Sequence, residues 1–396
     1  MSIVQVGGKS SLNWSGVDYS LKTRSPHRLR ILMLDDRIPH PWLGAGYPRA
    51  QRVMETLSDL GHKVGFISCV AHDARKEAAR SLPPRCKHLP QDGAQGIIRF
   101  VEQHAHRYDV LWVSRPHNMA LIQRYLPDGH PVWRDYSLVV YDAEAIFALR
   151  ARDMARLYPS MPSGKPLVAE LGLTDVADVV TVVSALDEAQ FQKQGKSTVR
   201  LAMAFDDVEP TTGFDQRAGF LFVGTLRDHP SPNSDALLWF CEQVAPLLRE
   251  ELGDEFHLDV AGMQGPGIVQ SLARPDIKPL GMVPDLAPLY ASRRVFISPH
   301  RLAAGIPTKI LEAAAQGLPV VAPEMLASQL AWQDRVELLT SENDSPASFA
   351  DACLLLYKDE SLWRGLRNRA LEAIRRDYNP AIFRRAVTDV LSMASQ

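Results

Sequence analysis

The sequence predicts an α/β protein in which two lobes each contain a parallel β-sheet covered by helices on both faces. Short apolar runs alternate with amphipathic helical stretches along most of the chain, as they do in parallel sheets. The alternation breaks at residues 206–217, an acidic segment that contains Pro and Gly, and then restarts. We interpret that segment as the linker between the two lobes.

The N-terminal lobe is expected over residues 28–205, after a flexible tail of residues 1–27. Its first strand is an apolar run at 28–36 that ends in acids, as a buried parallel strand does. A Gly/Pro loop follows, and then a helix is predicted from Arg49 to Leu60 because its apolar residues fall on one face. Further strands are predicted at 63–68, 108–114, 137–143 and 178–184.

The C-terminal lobe is expected over residues 218–378. Its strands are predicted at 219–224, 256–262, 277–283, 294–299 and 318–323, and a helix is predicted from Ser234 to Glu250. A terminal helix over 379–396 follows a break at Asn379 and Pro380. Ligands of such sheets bind beyond the carboxyl ends of the strands, so the cleft between the lobes is the expected site.

Composition restricts the class of protein. The chain has 396 residues, 46% of them hydrophobic and 23% charged. Its net charge of -2 provides no excess of positive charge that would indicate binding to nucleic acid. The four cysteines form no C-x-x-C pair and no zinc-ribbon spacing, which indicates a reducing compartment. No apolar run approaches the length of a membrane span, and residues 1–28 lack the apolar region of a signal peptide. We expect a cytoplasmic protein, with attachment to the inner face of a membrane left open.

The segment 294–323 carries the strongest functional signal. Its strand ends at Pro299, a loop contains Gly305, and Pro307 suits the first position of the helix that follows. A helix N-terminus offers free backbone N–H groups and a positive dipole, which together favour phosphate.

Charged residues surround this predicted helix start. Arg301 precedes Gly305 by four residues and Lys309 follows it by four, so the two cations predict a pyrophosphate site. Glu312 lies one turn after Lys309, where its carboxylate would accept hydrogen bonds from ribose hydroxyls. The alternative is structural: Lys309 and Glu312 as a surface ion pair, Arg301 as a solvated loop residue and Gly305 as a turn residue.

These residues also carry a resemblance to a known family. The segment SPHRLAAGIPTKILEAAAQGLPVVAP (298–323) resembles the donor-binding signature of GT-B glycosyltransferases, in particular the large retaining group called family 4. The stretches 220–240 and 258–298 are similar to the rest of that lobe in order and spacing. Residues 31–68 resemble, more weakly, the family's first strand, glycine loop, helix and second strand.

The resemblance implies the GT-B fold: two facing Rossmann-like lobes, with a last helix that crosses back to the first lobe. It implies a retaining enzyme that needs no metal and takes a nucleotide-diphosphate sugar as donor, bound mainly by the C-terminal lobe. The implied acceptor is a hydroxyl group of a glycan or glycolipid, in the synthesis of a bacterial surface polysaccharide or glycoconjugate.

The resemblance also implies roles for single residues. Glu312 would hold the ribose, and Arg301 and Lys309 would neutralise the diphosphate. The other residues that it places at the donor are Gly44, Ala45, Gly46, Gly224, Thr225, Gly262, Met282, Val283, Gly305, Ile306, Pro307 and Thr308.

The acceptor is expected at the strand ends of the N-terminal lobe. Asp142 and Glu144 follow the strand at 137–143 and would point toward the cleft, with a helix cap as the alternative for Asp142. Ser114, Arg115 and His117 follow the strand at 108–114 and are candidates for contact with the acceptor.

The sequence departs from the family pattern in three places. Ala304 stands where many members have an acid that touches the transferred sugar. Thr225 replaces the first residue of a basic pair, and Ser114 replaces a histidine. These departures leave the donor sugar undefined. They also keep a catalytically silent GT-B scaffold of a glycan-assembly complex open as an alternative, beside a nucleotide-sugar epimerase.

An NAD-dependent oxidoreductase is the weakest alternative. The glycine loop resembles the start of a dinucleotide-binding fingerprint, but Arg49 occupies the third glycine position. The strand at 63–68 also ends without the acid that would bind the ribose of NAD.

Overall fold

The structure is a computed structural model. It describes residues 28–39, 46–70, 82–91, 93–226, 229–272, 274–302 and 304–395. The predicted tail and two residues predicted to contact the donor, Gly44 and Ala45, lie outside the described residues.

The N-terminal lobe contains a parallel sheet of seven described strands with the order β3-β2-β1-β4-β5-β6-β7. Its strands are β1 (Arg30–Asp35), β2 (Lys63–Ser68), β3 (Cys86–His88), β4 (Val110–Ser114), β5 (Leu138–Asp142), β6 (Val179–Val182) and β7 (Thr198–Arg200). In the register of this sheet Ser114 lies opposite Asp142, and β1 pairs with both β2 and β4. The carboxyl ends of β1, β4 and β5 therefore meet at one edge.

Helices cover both faces of this sheet. The longer ones are α1 (Gly46–Asp59), α2 (Gly93–His104), α3 (Pro116–Tyr125), α4 (Phe147–Leu157), α5 (Leu167–Leu171) and α6 (Ala185–Gln192). Alternate side chains of β1 enter two different cores, with Ile31 and Met33 on one face and Leu32 and Leu34 on the other. Helix α1 begins three residues before the predicted start at Arg49.

The C-terminal lobe contains a parallel sheet of six described strands with the order β10-β9-β8-β11-β12-β13. Its strands are β8 (Phe220–Val223), β9 (Leu258–Ala261), β10 (Ile277–Gly281), β11 (Val295–Ile297), β12 (Val320–Pro323) and β13 (Leu339–Ser341). Its helices are α7 (Pro232–Trp239), α8 (Ala245–Leu252), α9 (Pro266–Ser271), α10 (Ala287–Ser292), α11 (Thr308–Ala315), α12 (Glu324–Leu330), α13 (Pro346–Lys358) and α14 (Glu360–Asp377).

The helix predicted from Ser234 to Glu250 is two helices in the structure. A π-helical turn at Phe240–Val244 separates α7 from α8, and Pro246 lies in the first turn of α8. Proline has no N–H to donate to the preceding turn, so a continuous α-helical hydrogen-bond ladder is interrupted there.

The last helix returns to the N-terminal lobe. Helix α15 (Pro380–Ser392) starts at Asn379, whose side chain accepts hydrogen bonds from two backbone N–H groups. Its apolar face, which includes Phe383 and Val387, packs in the same core as Ile31 and Met33. The fold class predicted from the sequence, with its crossing helix, is therefore confirmed. In the described part of the chain, no helix is both long and apolar enough to cross a membrane.

Candidate active site

A cavity of about 580 Å³ opens where strands β8, β9 and β10 end and helix α11 begins. It is lined by Val223, Gly224, Thr225, Gly262, Met263, Met282, Val283, Pro284, Asp285, Leu286, Lys309 and Glu312. We call it the donor cavity, because the sequence analysis named seven of its lining residues at the donor. Most of its wall is apolar, and its volume lies within the range of sites for small molecules.

The donor cavity brings together residues that the sequence analysis drew from four separate segments. Gly224 and Thr225 follow β8, Gly262 follows β9, Met282 and Val283 follow β10, and Lys309 and Glu312 lie on α11. The lining also includes Val223, Met263 and Leu286, which were not predicted, and Pro284 and Asp285 of the loop 281–285, which the family resemblance assigns to the base. Asp285 could have been singled out from the sequence, because Asp often stands just before a helix. In the structure its side chain accepts a hydrogen bond from the N–H of Ala287.

Two glycines form one wall of the cavity with bare backbone. Gly262 has a φ of 128°, and a Cβ atom there would lie 2.0 Å from the carbonyl oxygen of Gly224. Only glycine fits this close approach of two strand ends. Side chains are thus kept out of the place where β8 and β9 meet the cavity.

The polar end of the cavity lies on the first turn of α11. The Lys309 ammonium is 2.8 Å from a carboxylate oxygen of Glu312, and about a third of each side chain is exposed. The buried hydroxyl of Tyr290 lies near Glu312. Burial, with the Glu312 charge added, raises the pKa of Tyr290. Tyr290 was not predicted, and its sequence context gave no signal.

The loop before α11 faces the other lobe. Gly305 has a φ of 77°, and a Cβ atom there would lie 2.9 Å from the Cβ of Ala145 in the N-terminal lobe. Ile306 lines a separate cavity of about 430 Å³ between the lobes. Pro307 precedes the helix as its N-cap, so α11 begins at Thr308, one residue later than predicted. The roles of residues 305–308 at the donor remain predictions.

Arg301 departs from its predicted place. Its guanidinium donates two hydrogen bonds to Asp235, with N–O distances of 3.1 and 2.5 Å, and the Asp235 side chain is fully buried. Arg301 lines another cavity, of about 450 Å³, together with Tyr158 and Trp239. Arg301 therefore supplies the partner that a buried carboxylate requires, and it lies outside the lining of the donor cavity. Its contact with a diphosphate beside Lys309 stays a prediction.

The Asp235 carboxylate also connects the two lobes. The hydroxyl of Tyr158, which follows α4 of the N-terminal lobe, donates a hydrogen bond of 2.5 Å to the same carboxylate. Burial and this bond raise the pKa of Tyr158 to about 12, so its hydroxyl keeps its proton. Arg301, Asp235 and Tyr158 therefore form one chain of contacts across the cleft.

Asp142 is buried inside the N-terminal lobe. Arg49 donates to both of its oxygens, at 2.9 and 2.8 Å, and Thr181 and Ser114 donate further hydrogen bonds. Burial disfavours its charge, but Arg49 and the other donors hold its pKa below the usual value. The predictions that Asp142 points toward the cleft and that Ser114 contacts the acceptor are wrong, since both side chains are fully buried and bonded to each other.

Glu144 lies next to the loop of the other lobe, where its carbonyl oxygen is 3.4 Å from the Cβ position of Gly305. One of its oxygens is 3.2 Å from the Arg115 guanidinium, which in turn donates to Asp35 at 2.6 Å and lies over the ring of Tyr47. A Cβ atom on Gly46 would lie 2.8 Å from Glu144, so the predicted Gly46 also belongs to this cluster.

This cluster can form more hydrogen bonds than the described residues supply. Asp35 Oδ2, Arg115 Nη2 and Glu144 Oε1 are buried atoms with no hydrogen-bond partner among the described residues. Burial raises the pKa of Glu144 to about 7, with the neighbouring Asp35 adding to the rise and Arg115 opposing it. A buried polar atom without a partner is costly, so the arrangement favours a ligand that supplies one.

His117 lies at the rim of the cluster. Its Nε2 is 2.5 Å from an oxygen of Asp36, and Asn118 donates to the same oxygen. Half of the His117 side chain is exposed. Its contact with an acceptor remains a prediction. Asp35, Asp36 and Tyr47 were not assigned a role, although the two acids at the end of the first strand were visible in the sequence.

Comparison with known proteins identifies the C-terminal lobe. Residues 217–359 match the family model described as Glycosyl transferases group 1. This match identifies residues 217–359 as a glycosyl transferases group 1 domain. The match includes the donor cavity and both ends of the Arg301–Asp235 pair. No curated protein matches the sequence.

Solved structures extend the likeness to both lobes of the chain. A sucrose-phosphate synthase from Thermosynechococcus elongatus superposes with a TM-score of 0.70 at 15% identity, covering 92% of this chain and 98% of that chain. HepE of Anabaena, in complex with UDP and glucose, gives 0.68 at 15% identity, covering 92% and 99%. TarM gives 0.73 at 9% identity, covering 94% and 100%. Identities this low show the fold alone, and that fold is GT-B.

Proposed function

We propose that this glycosyltransferase moves a sugar from a nucleotide-diphosphate sugar to a hydroxyl group of a glycan or glycolipid. The observation that carries the proposal is the donor cavity, in which an apolar wall ends at Lys309 and Glu312 on the first turn of α11. A nucleotide has the same division, with a flat base at one end and a charged diphosphate at the other.

Each part of the donor has a partner in the cavity. The base would lie against Met282 and Val283, where its flat, weakly polar face would contact an apolar wall. The ribose hydroxyls would donate hydrogen bonds to the Glu312 carboxylate, because hydrogen bonds to a charged acceptor are strong. The diphosphate would replace Glu312 as the ion-pair partner of Lys309. The backbone at Gly224 and Gly262 carries no side chain and would let the diphosphate approach the strand ends.

The chemistry that follows is mainly electrostatic. Negative charge grows on the leaving diphosphate as the sugar departs, and Lys309 and the N-terminus of α11 stabilise it. Because these groups supply positive charge, we propose that no metal is required. Assays in EDTA and in added Mg²⁺ test this, and equal turnover is the expected result.

The acceptor would meet the donor from the N-terminal lobe. Glu144 and Arg115 each have a buried polar atom with no partner in the described part of the chain, and the close packing of Gly305 on Ala145 brings the two lobes together beside Glu144. We propose that Glu144 and Arg115 orient the acceptor hydroxyl, while a donor phosphate oxygen accepts its proton. Lobe closure then aligns the two substrates and excludes water.

The proposal includes retention of the anomeric configuration and a role in the cytoplasmic synthesis of a bacterial surface polysaccharide or glycoconjugate. Retention is supported by the resemblance of residues 298–323 to the signature of retaining enzymes. Proton NMR of the anomeric position in the first product tests it. UDP-sugars are the first donors to try, because the HepE structures hold UDP and UDP-glucose.

The deciding experiment is a turnover assay with UDP-, GDP- and dTDP-sugars, read by release of the nucleoside diphosphate. Turnover with one of these donors is expected, and Lys309→Met should abolish most of it. Release by wild type and variant at equal rates would show that the activity does not come from the donor cavity.

One observation supports a catalytically silent scaffold as a second candidate. Arg301, which the family pattern assigns to the diphosphate, is bound to Asp235, and Ala304 supplies no acid for the sugar. A scaffold would bind a nucleoside diphosphate and release nothing from any of the donors.

A further inference from the structure

A second charged cavity lies on the N-terminal lobe, far along the sheet from the cleft. It has a volume of about 520 Å³ and is lined by six cations, which are Arg28, Arg30, Lys63, Arg85, Lys87 and Arg107. We call it the basic pocket. No carboxylate belongs to its described lining, although the chain as a whole carries a net charge of -2.

Little in the described structure neutralises these cations. Arg30 has one carboxylate nearby, that of Asp109 at 3.8 Å, and Arg28 donates to the carbonyl oxygen of Gly61. Lys63, Lys87 and Arg107 are exposed and form no ion pair with the described residues. The pocket therefore has a local excess of positive charge that an anionic ligand would neutralise.

The floor of the basic pocket is apolar. Val64, Pro84, Leu89 and Tyr108 contribute to the lining between the cations. Such a lining combines charged and apolar side chains. A small inorganic anion would use only the charged side chains, whereas a layer of anionic amphiphiles would use both.

The position of the pocket separates it from the donor and acceptor sites. Arg30 begins β1 and Lys63 begins β2, so the pocket lies at the amino ends of these strands. The Asp35–Arg115–Glu144 cluster lies at the carboxyl ends. A ligand in the basic pocket would leave the cleft open to both substrates.

We propose that the basic pocket docks the protein on a lipid surface that carries anionic headgroups. Clusters of four to eight basic residues bind such surfaces, and each cation contributes about fivefold in affinity. Removing three of the six should therefore weaken binding about 100-fold. The attraction should also weaken as salt is added, because ions screen exposed charges.

The test compares two triple variants of the full-length protein. Lys63→Gln, Lys87→Gln and Arg107→Gln remove three cations of the basic pocket that hold no described partner. The control is Lys193→Gln, Lys278→Gln and Arg384→Gln, which removes the same charge from exposed cations elsewhere. Binding is measured by cosedimentation with vesicles of phosphatidylcholine alone or mixed with phosphatidylserine.

The proposal expects binding to the mixed vesicles and little to phosphatidylcholine alone. It expects the pocket variant to lose about 100-fold and the control a few-fold at most, with the melting temperature unchanged in both. Equal binding to both kinds of vesicle would overturn it, and so would equal loss in the two variants. Binding to single-stranded RNA without binding to the mixed vesicles would also overturn it and assign the pocket to nucleic acid.

Discussion

The two lobes each hold an ion pair near the ends of their strands, and the two pairs differ in burial. In the C-terminal lobe, Lys309 and Glu312 form one ion pair on an exposed helix turn, at the end of an open cavity. In the N-terminal lobe, Arg49 and Asp142 form an ion pair that is almost completely buried and surrounded by further hydrogen bonds. Both pairs lie beyond the carboxyl ends of parallel strands.

This contrast in burial indicates which pair can exchange its partner for a ligand. An exposed pair one helix turn apart contributes only about 0.2–0.5 kcal/mol, so a diphosphate separates it at little cost. Breaking a buried pair costs about 3–5 kcal/mol, because one charge is left without a partner. Position at a strand end therefore does not by itself make an ion pair part of a binding site.

The largest expected effect is a loss of stability on breaking the buried ion pair. Arg49→Met should lower the free energy of unfolding by about 3–5 kcal/mol, since Asp142 remains buried without its cation. The matched change in the other lobe, Lys309→Met, should lower it by less than about 0.5 kcal/mol. Urea denaturation followed by circular dichroism measures both. Similar losses in the two variants would remove the contrast between the lobes.

The next largest effect is on turnover and tests the exposed ion pair of the C-terminal lobe. Lys309→Ala should reduce kcat/KM at least about 100-fold, as loss of one group that stabilises developing charge typically does. Steady-state assays with the accepted donor measure the effect. Lys278→Ala, at an exposed site outside the donor cavity, is the control and should keep wild-type turnover. Near-normal turnover in Lys309→Ala would count against its role.

Glu144 gives a pH-dependent effect of intermediate size. Its pKa in the folded protein is raised to about 7 from 4.5, so folding favours its protonated form. The folded protein should therefore be most stable below pH 4.5 with respect to this group and should lose stability as the pH rises to about 7. The loss is roughly 1.4 kcal/mol for each pH unit between the two pKa values. Glu144→Gln should remove that loss.

Thermal denaturation at several pH values between about 5 and 8 tests the Glu144 prediction. The wild type should lose stability relative to Glu144→Gln across this window. Parallel curves for the two proteins would show that Glu144 titrates outside it, and that its carboxylate is already ionised at the cleft.

The smallest expected effect concerns the contact between the lobes. Tyr158→Phe removes one hydrogen bond to Asp235, which keeps its two bonds from Arg301, so the expected loss is about 1 kcal/mol in unfolding free energy. Tyr125→Phe, at an exposed tyrosine, is the control. A loss as large as that of Arg49→Met would show that the lobes depend on this one bond.

The donor cavity was the part of the site most open to prediction from the sequence. Its residues follow consecutive strands or open one helix, and parallel strands bring their carboxyl ends to a common edge. The family resemblance assigned Gly224, Gly262 and Met282 to the donor together with Lys309, and the structure lines one cavity with all four. Local pattern and topology agree in this lobe.

The ion pairs of the site were not open to prediction in this way. Asp142 meets Arg49 across 93 residues of sequence, and Arg301 meets Asp235 across 66. Spacing along the chain showed that these residues lie near strand ends and helix starts. It held no information on which charges neutralise each other inside the fold, and so Asp142 and Arg301 were assigned to substrates.

The most direct test is the affinity of the protein for a nucleoside diphosphate, measured by isothermal titration calorimetry. UDP, GDP and dTDP are titrated into wild type and Lys309→Met, and the corresponding nucleosides serve as controls. We predict that one diphosphate binds wild type well above its nucleoside and that Lys309→Met weakens it about 10- to 100-fold, while the weak nucleoside binding is unchanged. Equal affinity of wild type and variant for that diphosphate would contradict the account.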